Sequence, residues 1–396
     1  MGEALFTGNE TGLVNLVYDA PDDALEFDGY CESLSKNDTW LAGNVVLCFS
    51  EDGDFVDAED IQATVKEAGA SGVIISQQKM SALYSYKGDF PSVQVDYVVG
   101  SKILLHIRST RNPRVRIHPT KTQIGKPISS TISFYSSRGP NTLAPEILKP
   151  DIAAPGTNIL AAYISEDPAV PSAYDFLSGT SMATPHVAGI VALLKAAHPK
   201  WSPSAIKSAI VTTAWTTDPS SGEPIFSEGE TNTKLADAFD YGGGIIHPNR
   251  AQNPGLVYDM GTTDYLHCLC AMGYNSTAIS QLAGQTINCP KGFSILDVNF
   301  PSITIQDLKH SVTLKRTVTN VGPTNSSYKL IVERPRGIRV SVNPDTLIFT
   351  PNVTKITFVV TISTSYSYNT GYYFGSLTWN DGCHNVRIPI SVNTLS

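Results

Sequence analysis

Three different spacings of apolar residues follow one another along the 396-residue chain. Between about residues 13 and 118, short β-branched runs alternate with helical spacing. Val45–Phe49, Gly72–Ile75 and Val93–Tyr97 read as strands, and Ala58–Ala70, with Ile61, Val65 and Ala68, reads as a helix between the first two. Gly100–Ile107 reads as a second helix. From about 125 to 255 small residues, glycines and prolines rise, and two helical patterns stand out. Ser181 to about Ala197, stopped by Pro199, is apolar almost all round (Val187, Ile190, Val191, Leu193, Leu194), the pattern of a buried helix. The next opens with Ser202 as cap and Pro203 as first residue, followed by Ile206, Ala209 and Ile210. Beyond about residue 295 the period falls to two. Val312/Leu314, Tyr328/Leu330, Ile338/Val340/Val342, Ile356/Phe358/Val360 and Leu377/Trp379 alternate with polar neighbours between regular turns, as in an antiparallel sandwich.

Composition narrows the classes. With 41% apolar and 16% charged residues the chain has ample material for real cores. At roughly 150 residues per domain its length predicts two to three units. No apolar run approaches the ~20 residues of a membrane span. The net charge of −8, with no basic cluster, argues against nucleic acid as partner. Met1–Gly12 shows no basic region followed by an apolar stretch, so no secretory signal is read there. Gly2 is not a myristoylation site, because Phe6 stands where Ser or Thr is wanted. The interior nevertheless has the marks of a secreted protein. N-glycosylation triplets begin at Asn9, Asn37, Asn275, Asn325 and Asn352. The six cysteines lack the CxxC spacing of zinc sites; Cys31 with Cys48 and Cys270 with Cys289 make reasonable local pairs. No metal or cofactor is implied.

One segment is built for reaction: Leu177-Ser178-Gly179-Thr180-Ser181-Met182-Ala183-Thr184-Pro185-His186-Val187-Ala188-Gly189. A serine in the first turn of a helix has a backbone N–H that the helix leaves unpaired, and the positive end of the helix dipole points at it. An oxyanion developing on an acyl group attached there would meet that N–H. Gly179 lets the chain turn sharply into the helix. Pro185 cannot donate to the Ser181 carbonyl and so loosens the first turn, and Gly189 lets the helix pack closely on a neighbour. The plain alternative is a helix cap. His186 is no base for Ser181: five residues on, it projects about 140° away around the axis, and it reads as a buried, satisfied histidine. His106, His118, His198, His247, His267, His310 and His384 have no neighbour marking them as bases. Asp151, in Lys149-Pro150-Asp151-Ile152-Ala153-Ala154-Pro155-Gly156, could orient a base, but Asp beside Pro more often shapes a turn. An esterase of the Gly-x-Ser-x-Gly kind is disfavoured, because Thr180 and Met182 flank Ser181.

Gly179–Gly189 resembles the nucleophile motif of the subtilisin-like serine proteases. Ser136-Ser137-Arg138-Gly139-Pro140 and the Lys149–Gly156 segment strengthen the likeness. Asn253-Pro254-Gly255-Leu256-Val257-Tyr258-Asp259, Asn299-Phe300-Pro301-Ser302-Ile303 and Arg316-Thr317-Val318-Thr319-Asn320-Val321-Gly322 resemble the plant branch. The resemblance implies a multidomain chain: a partial α/β subtilisin-like domain (parallel sheet with helices), an inserted α+β protease-associated domain and a C-terminal all-β fibronectin-III-like sandwich. Residues 1–12 would be a remnant of the catalytic domain, 13–118 the protease-associated domain, 119–290 the C-terminal half of the catalytic domain and 291–396 the sandwich. It implies Ser181 as catalytic nucleophile, protein or peptide substrates, an extracellular location (apoplast or cell wall) and a homodimer through the protease-associated domain. By the same resemblance His186 and Asp151 are scaffold. The family's catalytic aspartate, catalytic histidine and oxyanion asparagine precede the inserted domain, and no residue here matches them. In a subtilisin, loss of the histidine costs on the order of 10⁶ in kcat. The chain alone is therefore expected to be inactive, a C-terminal portion of a secreted endopeptidase. The alternative is a non-catalytic interaction module derived from a subtilase.

Overall fold

A computed structural model describes residues 6, 8–18, 31, 34–35, 37–50, 55–77, 90–121, 130–164, 173–228, 233–365 and 371–394. The chain divides into two compact units, Met1–Lys126 with Gly156–Met182, and Pro127–Pro155 with Ala183–Ser396.

In the first unit, β1 (Val14–Tyr18), β2 (Val45–Ser50), β3 (Gly72–Gln77) and β4 (Ser92–Asp96) form a parallel sheet, and the short β5 (Arg114–Val115) closes it antiparallel in the order β4-β3-β2-β1-β5. The central strands β2 and β3 are buried throughout and largely apolar because both faces are covered. Val46, Cys48, Val73 and Ile75 pack on Ile61 and Val65 of α1 (Phe55–Glu67). The alternate residues Val45, Leu47, Phe49, Ile74 and Val95 pack on Val99, Ile103 and Leu104 of α2 (Tyr97–Ser109). The Asp96 carboxylate caps α2, accepting from the Val99 N–H at 2.7 Å. A disulfide joins Cys31 to Cys48. Helices and strands alternate here as expected; α1 begins and ends three residues before its expected range, and α2 extends its expected range at both ends.

The region expected to be half of a parallel sheet with helices is different. Here β6 (Thr131–Ile132) pairs in parallel with β9 (Phe226–Glu228) over two residue pairs only. The antiparallel hairpin β7 (Ile159–Ala162) and β8 (Tyr174–Leu177) belongs to the first unit. Elsewhere in the second unit, β10 (Thr233–Leu235) pairs antiparallel with β9, and isolated bridges such as Ala153 with Ile245 replace strands. The physical reason lies in the glycines and prolines: Pro140, Pro150, Pro155 and Gly242–Gly244 interrupt every run that could extend a ladder. Helices carry this region: α3 (Thr180–Ala197), α4 (Pro203–Thr212), α5 (Ala238–Tyr241) and α6 (Pro248–Gln252).

Helix α3 is not buried all round, as its composition led us to expect. Val187, Ile190, Val191 and Leu194 pack against Ile206, Ile210, Ile246 and Ala251. The opposite face, Ala188, Gly189, Ala192, Leu193 and Ala196, is exposed, and Leu193 shows 69% of its surface. A Cβ on Gly189 would meet nothing within 4 Å, so that glycine serves no close packing here. By contrast α4 is buried along most of its length, capped by Ser202, whose Oγ accepts from Ala205 N–H at 2.9 Å.

The sandwich begins with β11 (Leu256–Val257), followed by α7 (Thr262–Ala271) and α8 (Ser276–Ala283), which the Cys270–Cys289 disulfide ties down. Then come β12 (Ile303–Leu308), β13 (Ser311–Asn320), β14 (Ser326–Glu333), β15 (Ile338–Asn343), β16 (Thr346–Phe349), β17 (Lys355–Thr364), β18 (Tyr372–Asn380) and β19 (Asn385–Thr394). One sheet runs β11-β13-β17-β15 and the other β12-β19-β18-β14-β16. Leu314, Val318, Tyr328, Val340, Phe358, Val360, Leu377 and Trp379 fill the space between them. These are largely the alternating positions visible in the sequence.

Candidate active site

Ser181 is the second residue of α3, and it is exposed. Its surroundings in the first unit explain why the chain turns there. Gly179 has φ of +150°, a conformation side-chain-bearing residues rarely adopt. Its N–H donates to the Gly156 carbonyl at 2.8 Å, and its own carbonyl accepts from Met182 N–H at 3.0 Å. Just before it, Ser178 Oγ accepts from the Asn158 N–H at 2.8 Å and lies 3.3 Å from Asn158 Oδ1. Asn158 itself has φ of +53°, a left-handed position that asparagine tolerates better than most residues. Two loops twenty residues apart are thus stitched together under the start of the helix. Sequence reasoning missed Asn158; its place after Pro155-Gly156 in a turn was the one available signal. Pro185 lies inside α3, as anticipated, and leaves the Ser181 carbonyl without that helical donor. The Ser181 Oγ makes no hydrogen bond among the described residues.

The other candidates have structural occupations. Asp151 is held between Lys149 Nζ and Lys207 Nζ, each at 2.6 Å. Burial pushes its carboxyl upward, but the charges of Lys207 and Lys149 outweigh this and hold it below the usual carboxylate range. It is a clamp on α4, not a free orienting acid. His186 is half-buried, more open than its sequence setting predicted. His198 donates from Nε2 to the Gln252 carbonyl at 2.8 Å and stacks on Trp201. His247 stacks on Trp215, and burial together with Arg250 lowers its pKa. His384 is paired with Asp381 at 2.8 Å and His118 with Glu10 at 2.8 Å. Cys268 is a buried thiol and Cys383 an exposed one; neither is bridged. Among the described residues no group of three His, Cys, Asp or Glu side chains could hold a metal ion, and no helix is long and apolar enough to cross a membrane.

The remaining motifs meet within the second unit. Arg138 reaches Asp240 at 2.5 Å and Asp237 at 2.6 Å, while Lys234 also contacts both carboxylates. Asp237 and Asp240 form the capping box of α5, so the Ser136–Pro140 motif secures that turn. Leu256 and Val257 pair with Asn320 and Thr319. Asn299 Nδ2 donates to the carbonyls of Asp259 (3.1 Å) and Thr317 (2.8 Å), and its Oδ1 accepts from Thr317 N–H. Arg316 is buried and donates four hydrogen bonds, to the carbonyls of Phe300, Leu296, Lys315 and Ser302; loss of water lowers its pKa to about 10. Ser202 donates to the Asp259 carboxylate, and Tyr258 N–H donates to Ser208 Oγ at 2.8 Å. Three stretches separated by tens of residues therefore form one seam between α4 and the sandwich.

Comparison with known proteins agrees with this arrangement. Residues 61–244 match the Subtilase family and residues 297–392 a Fibronectin type-III domain. Subtilisin-like protease SBT3.5 of Arabidopsis thaliana is 52% identical over 401 residues, covering 100% of this chain and 51% of the relative. Subtilisin-like proteases SBT3.8 and SBT3.3 of the same plant are each 52% identical over 399 residues, again with 100% and 51% coverage. The chain spans about half the length of the curated relatives it matches. With residues 61–244 matching that family and relatives about half identical along its whole length, the chain belongs to the subtilase family of plant subtilisin-like proteases.

Proposed function

We propose that this chain serves serine endopeptidase chemistry, with Ser181 as the nucleophile. The observation that carries the reading is an exposed Ser181 hydroxyl in the first turn of α3, held there by Gly179 and the Asn158–Ser178 bond. Ser181 Oγ would attack the scissile carbonyl carbon as its proton passes to a histidine base. The C=O electrons would move onto oxygen, and the helix-terminal N–H of Ser181 would receive that charge. Collapse expels the amine with the proton returned from the base, leaving an ester on Ser181 that water then hydrolyses.

No residue of these 396 matches the family's catalytic histidine, aspartate or oxyanion asparagine, so in our reading those groups come from outside this sequence. The protease-associated identity of residues 13–118, a secreted location and pairing of two copies through those residues belong to the same proposal. All five acceptor asparagines, Asn9, Asn37, Asn275, Asn325 and Asn352, are exposed, which suits a glycosylated secreted protein.

The test joins the Asp- and His-bearing segment of an Arabidopsis relative ahead of Met1 and exposes the fusion to a fluorophosphonate probe. Labelling of Ser181 is expected in the fusion, is absent from its Ser181→Ala variant, and is slower by on the order of 10⁵–10⁶ in the chain alone. A folded fusion that takes no label, or labels equally well as Ser181→Ala, refutes the assignment.

A further inference from the structure

At the end of the sandwich, the β14–β15 turn and the end of β17 enclose a cavity of about 640 Å³, lined by Arg334, Arg336, Arg339, Ser363, Thr364 and Ser365 among others. That volume lies within the range of ligand sites, about 300–1,000 Å³. We propose that this cavity binds a carboxylated oligosaccharide. Three features of the site converge on that ligand.

The cations come first. Three arginines from one six-residue stretch line a single cavity in a chain whose net charge is −8. None of the three guanidinium groups has an ion-pair or side-chain hydrogen-bond partner among the described residues. The neighbouring carboxylate, Glu333, is occupied by Ser376 Oγ at 3.0 Å. Among the described residues no acidic residue lines the cavity. Guanidinium forks match the two oxygens of a carboxylate, so unpaired arginines in one concavity select a ligand carrying several such groups.

The remaining polar lining selects the kind of carboxylate. Ser363 and Ser365 each offer a hydroxyl, which both donates and accepts as sugar hydroxyls do. The same chemistry continues onto the outer face of the sheet. Arg339 lies opposite Ser363, which lies opposite Ser311; Ser341 lies opposite Thr361, which lies opposite Thr313. These two rows extend the cavity as a strip of hydroxyls that starts at Arg339 and carries no acid. A chain of sugars presents hydroxyls at every residue along such a strip. An acidic peptide presents mainly backbone amides, which these side chains match poorly.

Nucleic acid fits less well. Among the described residues no aromatic ring lines the cavity to stack a base, and three arginines on an acidic chain are a weak electrostatic footprint for a dense phosphate backbone.

Titration calorimetry of the whole chain with oligogalacturonate tests the proposal. Binding should weaken with added salt and should fall about tenfold for each of Arg334→Gln, Arg336→Gln and Arg339→Gln. Melting temperatures of these surface variants should not move, which separates lost binding from lost fold. The fully methyl-esterified oligomer, with its hydroxyls intact and its charges gone, should not bind. Absence of oligogalacturonate binding overturns the proposal, as does binding unchanged in the triple Gln variant. Equal or tighter binding of poly-glutamate or of a single-stranded oligonucleotide of matched charge overturns the glycan assignment.

Discussion

Gly255 shows how narrowly one position can be constrained. Its φ is +78°, and a Cβ there would lie 2.5 Å from Tyr328 Oη and 2.9 Å from His384 Cγ. Its carbonyl also accepts from both Val321 and Gly322 N–H, at 2.9 and 3.0 Å. Gly255→Ala therefore strains the backbone and overpacks a buried tyrosine at once. We expect a loss of about 2–4 kcal/mol, read as a lower urea midpoint at unchanged slope. At this scale the sequence spoke clearly wherever the signal was local. Ser181 sits in an eleven-residue motif whose glycine, serine and proline each have a reason within one helical turn. The two disulfide pairs also followed from short separations. Asn158 offered only its turn position after Pro155-Gly156; its partner Ser178 lies twenty residues away, and neither residue type announces the bond.

Arg316 decides more at the level of elements. It enters the interior of β13 as a full positive charge, yet it is balanced by carbonyl dipoles from the strand's own neighbourhood and from the 296–302 stretch. Its planar fork reaches several oxygens that an ammonium cannot reach together. Arg316→Lys should therefore cost about 2–4 kcal/mol despite keeping the charge, because buried carbonyls lose their donors. Chemical denaturation of the two proteins measures this. An unchanged midpoint would show that water replaces the guanidinium without penalty. Strand alternation in the sandwich was legible, since one face of each strand is core and the other is solvent. The one-sided packing of α3 was not. Its residues are small and apolar all round, and such a pattern records what a helix is able to bury, not what lies against it.

Acid response belongs to the whole molecule. Asp151 and Asp240 are raised by burial but lowered further by Lys207 and Lys149, and by Arg138 and Lys234, respectively. Asp381 is likewise raised by burial and lowered more by its bonds to His384. Asp218 is lowered by hydrogen bonds from Ser130, Ser220 and Ser221. All four carboxyls thus bind protons less readily folded than unfolded. The stability they contribute is fully present above the unfolded value of about 4 and is lost as pH falls through their lower folded values. Thermal melts should fall steeply below about pH 4, and Asp240→Asn should flatten that fall while lowering stability near neutrality. A variant that keeps the full slope would remove Asp240 from this account. The interlocking of the 253–259, 299–303 and 316–322 stretches was legible only as three separate motifs. No local rule says that distant segments share a seam; packing decides it.

The bare side of α3 has a practical outcome. Leu193 and the alanines around it offer water a greasy stripe, with Lys195 the only charge at its edge among the described residues of the helix. Concentrated stocks of the isolated polypeptide should turn cloudy well before they denature, and a single lysine in place of Leu193 should keep them clear.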